Sequence, residues 1–300
     1  MIPRDTYIQK IKPFIGKDIV KVLTGIRRSG KSSLLELLRR DLIGSGAEQT
    51  QFISINFEDL SHQERSITEI HDEIAAFCSN NPKTSYLFLD EVQEINGWEK
   101  LVNSIRVTTN ADIYITGSNS NLLSGELATH LAGRYIEISV LPLSFKEISE
   151  WNNKVSSKPL DSDNLFRKYL RLGGLPFIYA SDLDDQASLS YLQDIYQSIM
   201  LKDVVSRYRV RDIDLLNRVF LYFFSNFAQT FTGNSVSNFL KNEKRSISPE
   251  TLYNYIAYAQ QASLIYLVPR YEIKGKRSLS FQEKLFLADA GIREAVYGYN

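Results

Sequence analysis

Cysteine is nearly absent from this chain of 300 residues: Cys78 stands alone, which excludes an internal disulfide and a cysteine-ligated zinc site. Histidine is scarce as well, and His62, His71 and His130 lack the spacing of metal ligands. No stretch approaches the ~18 consecutive apolar residues of a membrane span. The segment from Met1 to Lys10 lacks the apolar run of a signal peptide. We therefore predict a cytoplasmic protein that makes no membrane contact.

A net charge is also lacking, since 35 basic residues balance 35 acidic ones. The two signs are unevenly spread, however. Residues 1–200 contain 21 Lys and Arg against 26 Asp and Glu, whereas residues 201–300 contain 14 against 9. A basic C-terminal third suits an acidic partner such as nucleic acid, and it equally suits an electrostatic contact between two parts of the chain. The charge pattern alone does not decide between them.

The most informative motif is a phosphate-binding loop of the form G-x-x-x-x-G-K-S, which lies between a predicted buried strand and a predicted helix. Glycines let successive backbone N–H groups surround an anion, and the start of the helix adds partial positive charge. We expect Lys31 to act on the terminal phosphates of ATP and Ser32 to ligate Mg²⁺. The residues predicted to bind the nucleotide are Gly25, Ile26, Arg27, Arg28, Ser29, Gly30, Lys31, Ser32 and Ser33.

An acidic pair follows another apolar run, Tyr86 to Leu89, as a phosphate-binding loop requires. We predict that Asp90 holds Mg²⁺ and that Glu91 polarises the attacking water. Such a pair favours hydrolysis over phosphoryl transfer to a small acceptor. An acidic pair at the end of a strand is common in itself, so the preceding loop carries much of this interpretation.

Three further polar residues are candidates for catalysis. Ser118 and Asn119 follow the predicted strand Asp112 to Thr116 and would lie at the sheet edge where ligands bind, although an ordinary turn explains them equally well. Arg134 precedes the last predicted strand, from which an arginine could face the phosphates of a neighbouring subunit. A surface ion pair is the alternative for Arg134.

The order of elements predicts an α/β P-loop NTPase: a parallel sheet sandwiched by helices, followed by an all-α region and a winged-helix domain. The predicted boundaries are 1–142 for the ATPase core, 143–208 for the all-α region and 209–300 for the winged helix. The elements from which these boundaries follow are strands at 19–24, 51–56, 86–90, 112–116 and 135–140, helices near 31–43, 66–79, 97–109, 120–131, 144–151, 162–171, 185–206 and 211–229, a helix to Leu240, a helix from Ser248 to Ala262, and a hairpin of 264–272 with 284–288.

The chain resembles a family of bacterial and archaeal AAA-type ATPases that carry an uncharacterised C-terminal region. The resemblance covers nearly the whole chain, and the motifs that carry it are the phosphate-binding loop, Leu87 to Gln93, Thr116-Gly117-Ser118, Gly133-Arg134, Pro142 to Phe145, Gly173 to Pro176, Lys202-Asp203-Val204 and Leu287 to Gly291. The resemblance implies that the all-α region, 143–208, is a helical lid. It also implies that Pro176 packs on adenine, that Arg134 is the arginine-finger candidate and that Asp289 lies near the nucleotide. Family members often continue into a nuclease-like domain, whereas this sequence ends at Asn300.

The predicted function is an ATP-binding and ATP-hydrolysing switch whose nucleotide state controls the lid and the winged helix. The alternative is a nucleotide-regulated DNA-binding protein with slow hydrolysis. The helix from Thr251 to Tyr258 contains no basic residue and argues against DNA reading, whereas six basic residues keep that alternative open: Lys241, Lys244, Arg245, Lys274, Lys276 and Arg277. A small-molecule kinase ranks third. The sequence leaves open whether the chain forms a homo-oligomer, contacts DNA weakly, or acts on a further protein or effector domain.

Overall fold

The computed structural model describes residues 1–118, 131, 133–155, 160–181, 183–269 and 283–298. Asn119, residues 120–130 of a predicted helix, and the basic residues Lys274, Lys276 and Arg277 lie outside the described residues. The chain divides into two compact units. The first comprises Met1–Gly25 and Ser29–Val140, and the second comprises Ile26–Arg28 and Leu141–Asn300.

The first unit is built on a parallel sheet of five strands in the order β2-β3-β4-β1-β5. This arrangement confirms the predicted P-loop NTPase fold and its five strands. Because β4 lies between β1 and β3, side chains at the carboxyl end of β4 lie between those that follow the other two strands. The strands are β1 Val20–Thr24, β2 Phe52–Asn56, β3 Tyr86–Asp90, β4 Asp112–Thr116 and β5 Tyr135–Ser139.

Helices cover both faces of this sheet. Side chains of successive strand residues point to opposite faces, so Val22, Leu89 and Ile115 belong to one apolar core and Leu23 and Phe88 to another. The second core also takes in residues of α1, a helix that the sequence analysis did not predict. The helices of this unit are α1 Asp5–Ile11, α2 Lys31–Gly44, α3 Leu60–Gln63, α4 Ile67–Ser79 and α5 Trp98–Thr108, with 3₁₀ turns at Lys12–Phe14, Gln49–Gln51 and Val92–Glu94.

The second unit is mainly helical and contains a three-stranded antiparallel sheet in the order β6-β8-β7. One apolar core runs through its helices and this sheet. The elements are α6 Phe145–Val155, α7 Ser162–Leu172, α8 Pro176–Ala180, α9 Asp185–Ser198, a π-helix Ile199–Ser206, α10 Ile213–Ser225, β6 Thr230–Phe231, α11 Gly233–Asn242, α12 Pro249–Gln261, β7 Ile265–Pro269, β8 Glu283–Leu287 and α13 Ala290–Tyr297.

Local signals explain several boundaries in this unit. Ser248 accepts a hydrogen bond from the Thr251 N–H, with Pro249 at the first helical position, which confirms the predicted start of α12. Two predicted helices differ from the structure. The helix predicted over 185–206 changes to π geometry after Ser198, and the one predicted over 211–229 ends at Ser225, where strand β6 follows soon after.

Strand β8 ends one residue before the end predicted for it, Ala288. β8 ends at Leu287, and the Asp289 carboxylate accepts hydrogen bonds from the Gly291 and Ile292 N–H groups as the N-cap of α13. That helix packs against α7, α9 and α10, and its Ile292 is 1% exposed in the apolar core of the unit. Its apolar face therefore has a partner within its own unit. Among the described residues, no helix is long and apolar enough to cross a bilayer.

Candidate functional site

The glycines of the phosphate-binding loop are required by its backbone path. Gly25 directly follows β1 with φ of 139°, and a Cβ atom there would lie 2.3 Å from the Val140 carbonyl oxygen. Gly30 has φ of 95° and is the N-cap of α2, which begins at Lys31. Within the part of the chain that the structure describes, no side chain caps α2. Its first backbone N–H groups are therefore oriented toward the loop, where they suit an anion.

Lys31 is held at the mouth of this loop. Its side chain is 3% exposed, and its Nζ donates a hydrogen bond to the Gly25 carbonyl oxygen at 3.1 Å. The same Nζ lies 3.9 Å from the Glu91 Oε1. The loop lysine and the acidic residue after β3 are thus neighbours. Ser32 and Ser33 follow at the exposed start of α2.

Asp90 and Glu91 are joined through Thr116 at the carboxyl end of β4. The Thr116 hydroxyl donates a hydrogen bond to the Asp90 carboxylate and accepts one from the Glu91 backbone N–H at 2.9 Å. Thr116 is fully buried, so this arrangement is shielded from water. The hydroxyl fixes both the Asp90 carboxylate and the backbone of the next residue.

Glu91 has an unusual conformation for a residue with a side chain. Its φ is 52°, in the left-handed region, which turns the chain sharply after β3. Its carboxylate receives a hydrogen bond from the Gln93 amide at 2.5 Å, and the residue is only 8% exposed. Strained backbone of this kind is concentrated at functional sites, where surrounding contacts hold it in place.

The residues present fit Mg²⁺ bound with a nucleotide better than a metal bound by protein alone. Among the described residues, no three His, Cys, Asp or Glu side chains are grouped as metal ligands. Asp90 and Ser32 offer one carboxylate and one hydroxyl, which matches the preference of Mg²⁺ for few protein ligands alongside water and phosphate oxygens.

Two buried serine hydroxyls point to a polar ligand or water in this region. Ser118 is fully buried just beyond β4, and its Oγ has no hydrogen-bond partner among the described residues. The Oγ of Ser29, in the loop itself, is in the same state. Buried hydroxyls are normally satisfied, so each has bonding capacity for a ligand or a water molecule. Asn119, predicted to act beside Ser118, lies outside the described residues.

The outer part of the loop makes its contacts within the second unit. Ile26 is fully buried in the same apolar cluster as Leu175 and Ile178. Leu175 directly precedes Pro176, and Ile178 follows it by two residues. Arg27 forms a two-pronged ion pair with Asp203. Pro176 itself, predicted to pack on adenine, is half-buried at the first position of α8.

Arg134 lies at the other edge of the first unit's sheet. Its carbonyl oxygen accepts a hydrogen bond from the N–H of Val20, the first residue of β1, whereas the loop follows the last residue of that strand. A strand of five residues rises about 17 Å, so Arg134 is remote from its own loop. Its exposed guanidinium lies 3.9 Å from the Asp18 carboxylate.

Asp289 is a buried acid of the second unit. Besides capping α13, its carboxylate accepts a hydrogen bond from the Gly174 N–H at 2.7 Å, and a Cβ on Gly173 would collide with it. Burial raises the pKa of Asp289 to about 6, although three backbone N–H donors act to lower it. Gly173 thus makes room for a buried carboxylate, and the Gly174 N–H binds it. Asp289 also lines a cavity of about 300 Å³ with Leu143.

Arg4 is a site residue that the sequence reasoning missed. It is 3% exposed, its guanidinium lies 4.6 Å from the centre of the Tyr7 ring, and its Nη1 donates a hydrogen bond to the Ser29 carbonyl oxygen at 3.2 Å. An arginine near the chain start belongs to no recognisable motif. The helical spacing of the apolar residues in α1 is the sequence signal that could have placed Arg4 near the sheet.

Comparison with known proteins agrees with this geometry. A family model described as an AAA domain matches residues 17–149, and a model of a domain of unknown function matches residues 163–300. An uncharacterized protein of Haemophilus influenzae is 37% identical over 299 residues, which are 99% of this chain and 74% of that protein. The chain belongs to a family of bacterial and archaeal AAA-type P-loop ATPases with a C-terminal domain of unknown function.

Two further similarities fit this AAA-type family. The uncharacterized protein MJ1544 of Methanocaldococcus jannaschii is 31% identical over 277 residues, which are 90% of this chain and 60% of that protein. The Walker-type ATPase PABY2304 of Pyrococcus abyssi has the same fold, with a TM-score of 0.63 at 16% identity over 99% of this chain and 96% of that one. The AAA domain contains the loop, Asp90, Glu91 and Thr116.

Proposed function

We propose that the chain binds Mg·ATP and hydrolyses its terminal phosphoanhydride, and that it acts as a nucleotide-dependent conformational switch. The observation that carries this proposal is the placement of Glu91. It follows β3 in a left-handed conformation, and its carboxylate lies 3.9 Å from the Nζ of the loop lysine, Lys31. A general base near the terminal phosphate requires this neighbourhood.

Each residue of the site has a proposed role. Lys31 and the backbone N–H groups from Gly25 to Ser33 bind the phosphates, and Ser32 and Asp90 hold Mg²⁺. When bound, Mg²⁺ offsets the negative charge of the phosphates. Glu91 accepts a proton from the attacking water, and the Ser118 hydroxyl and Asn119 orient that water or the terminal phosphate. Pro176 packs on adenine, and Arg134 serves the phosphates of a neighbouring copy in a homo-oligomer.

The switch is assigned to the second unit. We divide it into a lid, residues 143–208, and a winged-helix domain, residues 209–300, after the ATPase core of residues 1–142. Support for the winged helix comes from three successive helices, α10 to α12, followed by the antiparallel strands β7 and β8. A further protein or effector domain would receive the signal. A cytoplasmic location, where Mg·ATP is at hand, belongs to the same proposal.

The alternative, a nucleotide-regulated DNA-binding protein with slow hydrolysis, gains less support. Helix α12 contains no Lys or Arg, and the guanidinium of Arg245 forms an ion pair with the Asp214 carboxylate. Lys241 and Lys244 leave a small positive surface beside it. Any DNA contact should therefore be weak, sensitive to salt and indifferent to base sequence.

The test measures binding and hydrolysis separately. Lys31→Ala should abolish binding of a fluorescent ATP analogue, because the ammonium group that meets the terminal phosphates is gone. Glu91→Gln should keep binding but slow phosphate release by about 10²–10⁴-fold, as loss of a general base does. Glu36→Gln, on the exposed face of α2, is the matched control and should behave as the parent. Unchanged hydrolysis by Glu91→Gln would refute the catalytic assignment.

A further inference from the structure

The phosphate-binding loop is held from outside through the side chain of Arg27, which pairs with Asp203. Arg27 Nε lies 3.1 Å from one Asp203 carboxylate oxygen, and Arg27 Nη2 lies 3.0 Å from the other. This is the two-pronged geometry in which an arginine–carboxylate pair is strongest and most directional. The two side chains are only 12% and 6% exposed, so solvent screens the pair little.

The neighbouring loop residues reinforce this attachment. Ile26 is fully buried in the apolar cluster of the second unit, and Ile26–Arg28 group with that unit rather than with the strand and helix that they connect. Residues on both sides of them, Gly25 and Ser29, group with the first unit. Three consecutive loop residues are thus packed in one unit while the loop's ends are fixed in the other.

The partner of Arg27 lies in an unusual helical segment. Asp203 belongs to the π-helix Ile199–Ser206, where it is flanked by the buried Val204 and the exposed Lys202. π-Helical turns cost stability relative to α-helix, and they are frequent at functional sites. An unpaired charge is costly to bury, and the ion pair with Arg27 offsets this cost for the Asp203 carboxylate.

We propose that Arg27 and Asp203 are positioning residues that couple nucleotide occupancy of the loop to the stability of the second unit. A nucleotide fixes the backbone of the loop, including Arg27, and so fixes the Asp203 carboxylate and the π-helix that carries it. By linkage, the second unit in turn sets the nucleotide affinity of the loop. This inference rests on the proposed nucleotide binding and names the contact through which the switch is read.

The two tryptophans of the chain allow each unit to be followed separately. Trp98 lies in α5 of the first unit and Trp151 in α6 of the second. Trp151→Phe leaves a reporter of the first unit, and Trp98→Phe leaves a reporter of the second. In each background, thermal unfolding is measured by fluorescence with and without the magnesium complex of a non-hydrolysable ATP analogue. We expect the analogue to raise the midpoints of both reporters.

Asp203→Asn should then separate the two responses. The midpoint rise at Trp151 should be lost, whereas the rise at Trp98 should persist at saturating analogue. Analogue affinity should fall about 10–100-fold, the range expected for a charge-assisted hydrogen-bonded pair. Arg27→Gln should have the same effect, and the double variant should be no worse than either single one, because both remove the same interaction. Asp185→Asn removes the exposed ion pair with Arg171 in the same unit and is the matched control.

The outcomes distinguish this inference from the proposed function. A parent that binds no analogue and shows no rise at Trp98 overturns the proposed function, and the coupling falls with it. A parent that binds the analogue but shifts Trp98 alone overturns the coupling only. The coupling is also overturned if Asp203→Asn keeps the parent's affinity and its Trp151 shift. If Asp203→Asn fails to fold, the same two measurements on Arg27→Gln, analogue affinity and the Trp151 shift, test the coupling instead.

Discussion

The Thr116 hydroxyl connects the Asp90 carboxylate to the Glu91 backbone by donating a hydrogen bond to the first and accepting one from the second. Asp90 and Glu91 are consecutive in sequence, but their different proposed roles require their two carboxylates to diverge. The left-handed conformation of Glu91 turns the chain sharply after Asp90, and Thr116 holds both residues from the neighbouring strand. A residue outside the acidic motif thus sets the geometry of the motif.

Replacing this hydroxyl should affect turnover more than binding. In Thr116→Val the shape is kept, but the Asp90 carboxylate and the Glu91 N–H lose their shared partner. A displacement of about 1 Å at the reacting groups costs about 10²-fold in rate, and we expect a fall in phosphate release of that order. Affinity for an ATP analogue should change little, because the loop and Lys31 are untouched.

Thr116→Ser keeps the hydroxyl and is the control for this experiment. It should retain most of the parent's turnover, measured as phosphate release at saturating ATP. Equal turnover in the valine and serine variants would show that the hydroxyl does not position the catalytic carboxylates.

The path of the loop gives a second prediction, on Gly25. Its φ of 139° is unfavourable for other residues, and a Cβ would lie 2.3 Å from backbone at Val140. Gly25→Ala should therefore lower the free energy of unfolding by about 1–3 kcal/mol from strain alone and weaken nucleotide binding as the loop shifts. Denaturant unfolding and analogue titration measure the two effects.

Gly44, the last residue of α2, offers the matched substitution. A Cβ there meets no atom within 4 Å. Gly44→Ala should leave nucleotide binding unchanged and be neutral or stabilising by up to about 1 kcal/mol, since alanine favours helix. A Gly25→Ala variant as stable as Gly44→Ala would contradict the strain argument.

The sheet and the motifs could be predicted from the sequence, but the tertiary contacts that connect them could not. Short apolar runs with turn signals located all five parallel strands, because burial on both faces leaves a clear pattern. The π-helix around Asp203 was missed because, over two turns, apolar residues recur in a π-helix at nearly the same spacing as in an α-helix. Strand β6, with two residues, is too short to produce a pattern.

The site itself shows the same division. Lys31, Asp90 and Glu91 were predicted because motif spacing reports chemistry close in sequence. Arg4 and Asp203 were not predicted as site residues, since each reaches the loop from a distant part of the chain. Arg4 belongs to no local motif, and the family motif Lys202-Asp203-Val204 carries no sign of the role of Asp203. Such contacts depend on tertiary packing, to which a single sequence gives no direct access.

A third prediction concerns Arg134, which lies at the opposite edge of the sheet from its own loop. If it acts on phosphate, the phosphate belongs to another copy of the chain. Arg134→Ala and Glu91→Gln should each be inactive alone, and a mixture of the two should recover part of the parent's hydrolysis. Arg106→Ala, which removes another arginine paired with Asp18, is the control and should stay active. Inactive mixtures, with a monomeric mass in the presence of nucleotide, would rule out the shared site.

The last prediction uses the buried Asp289 carboxylate as a probe of the second unit. Burial raises its native pKa from the ordinary 3.8 to about 6, so the folded chain holds this proton more tightly than the unfolded chain does. Stability must then fall as the pH rises from about 4 to about 6, and the loss is complete above that range. At about 1.4 kcal/mol for each pH unit between the two values, the loss is about 3 kcal/mol.

Asp289→Asn removes the titration while leaving an oxygen to accept hydrogen bonds at the start of α13. Urea unfolding from pH 4 to pH 7.5 gives the free energy of unfolding of parent and variant at each pH. We expect the parent's value, relative to that of the variant, to drop by about 3 kcal/mol as the pH rises, because only the parent must bury a charge. Asp194→Asn on the exposed face of α9 is the matched control, and because it retains Asp289 its own profile should show the same drop as that of the parent. A relative stability that instead rises with pH would mean that the Gly174, Gly291 and Ile292 N–H groups outweigh the cost of burial and hold Asp289 ionised.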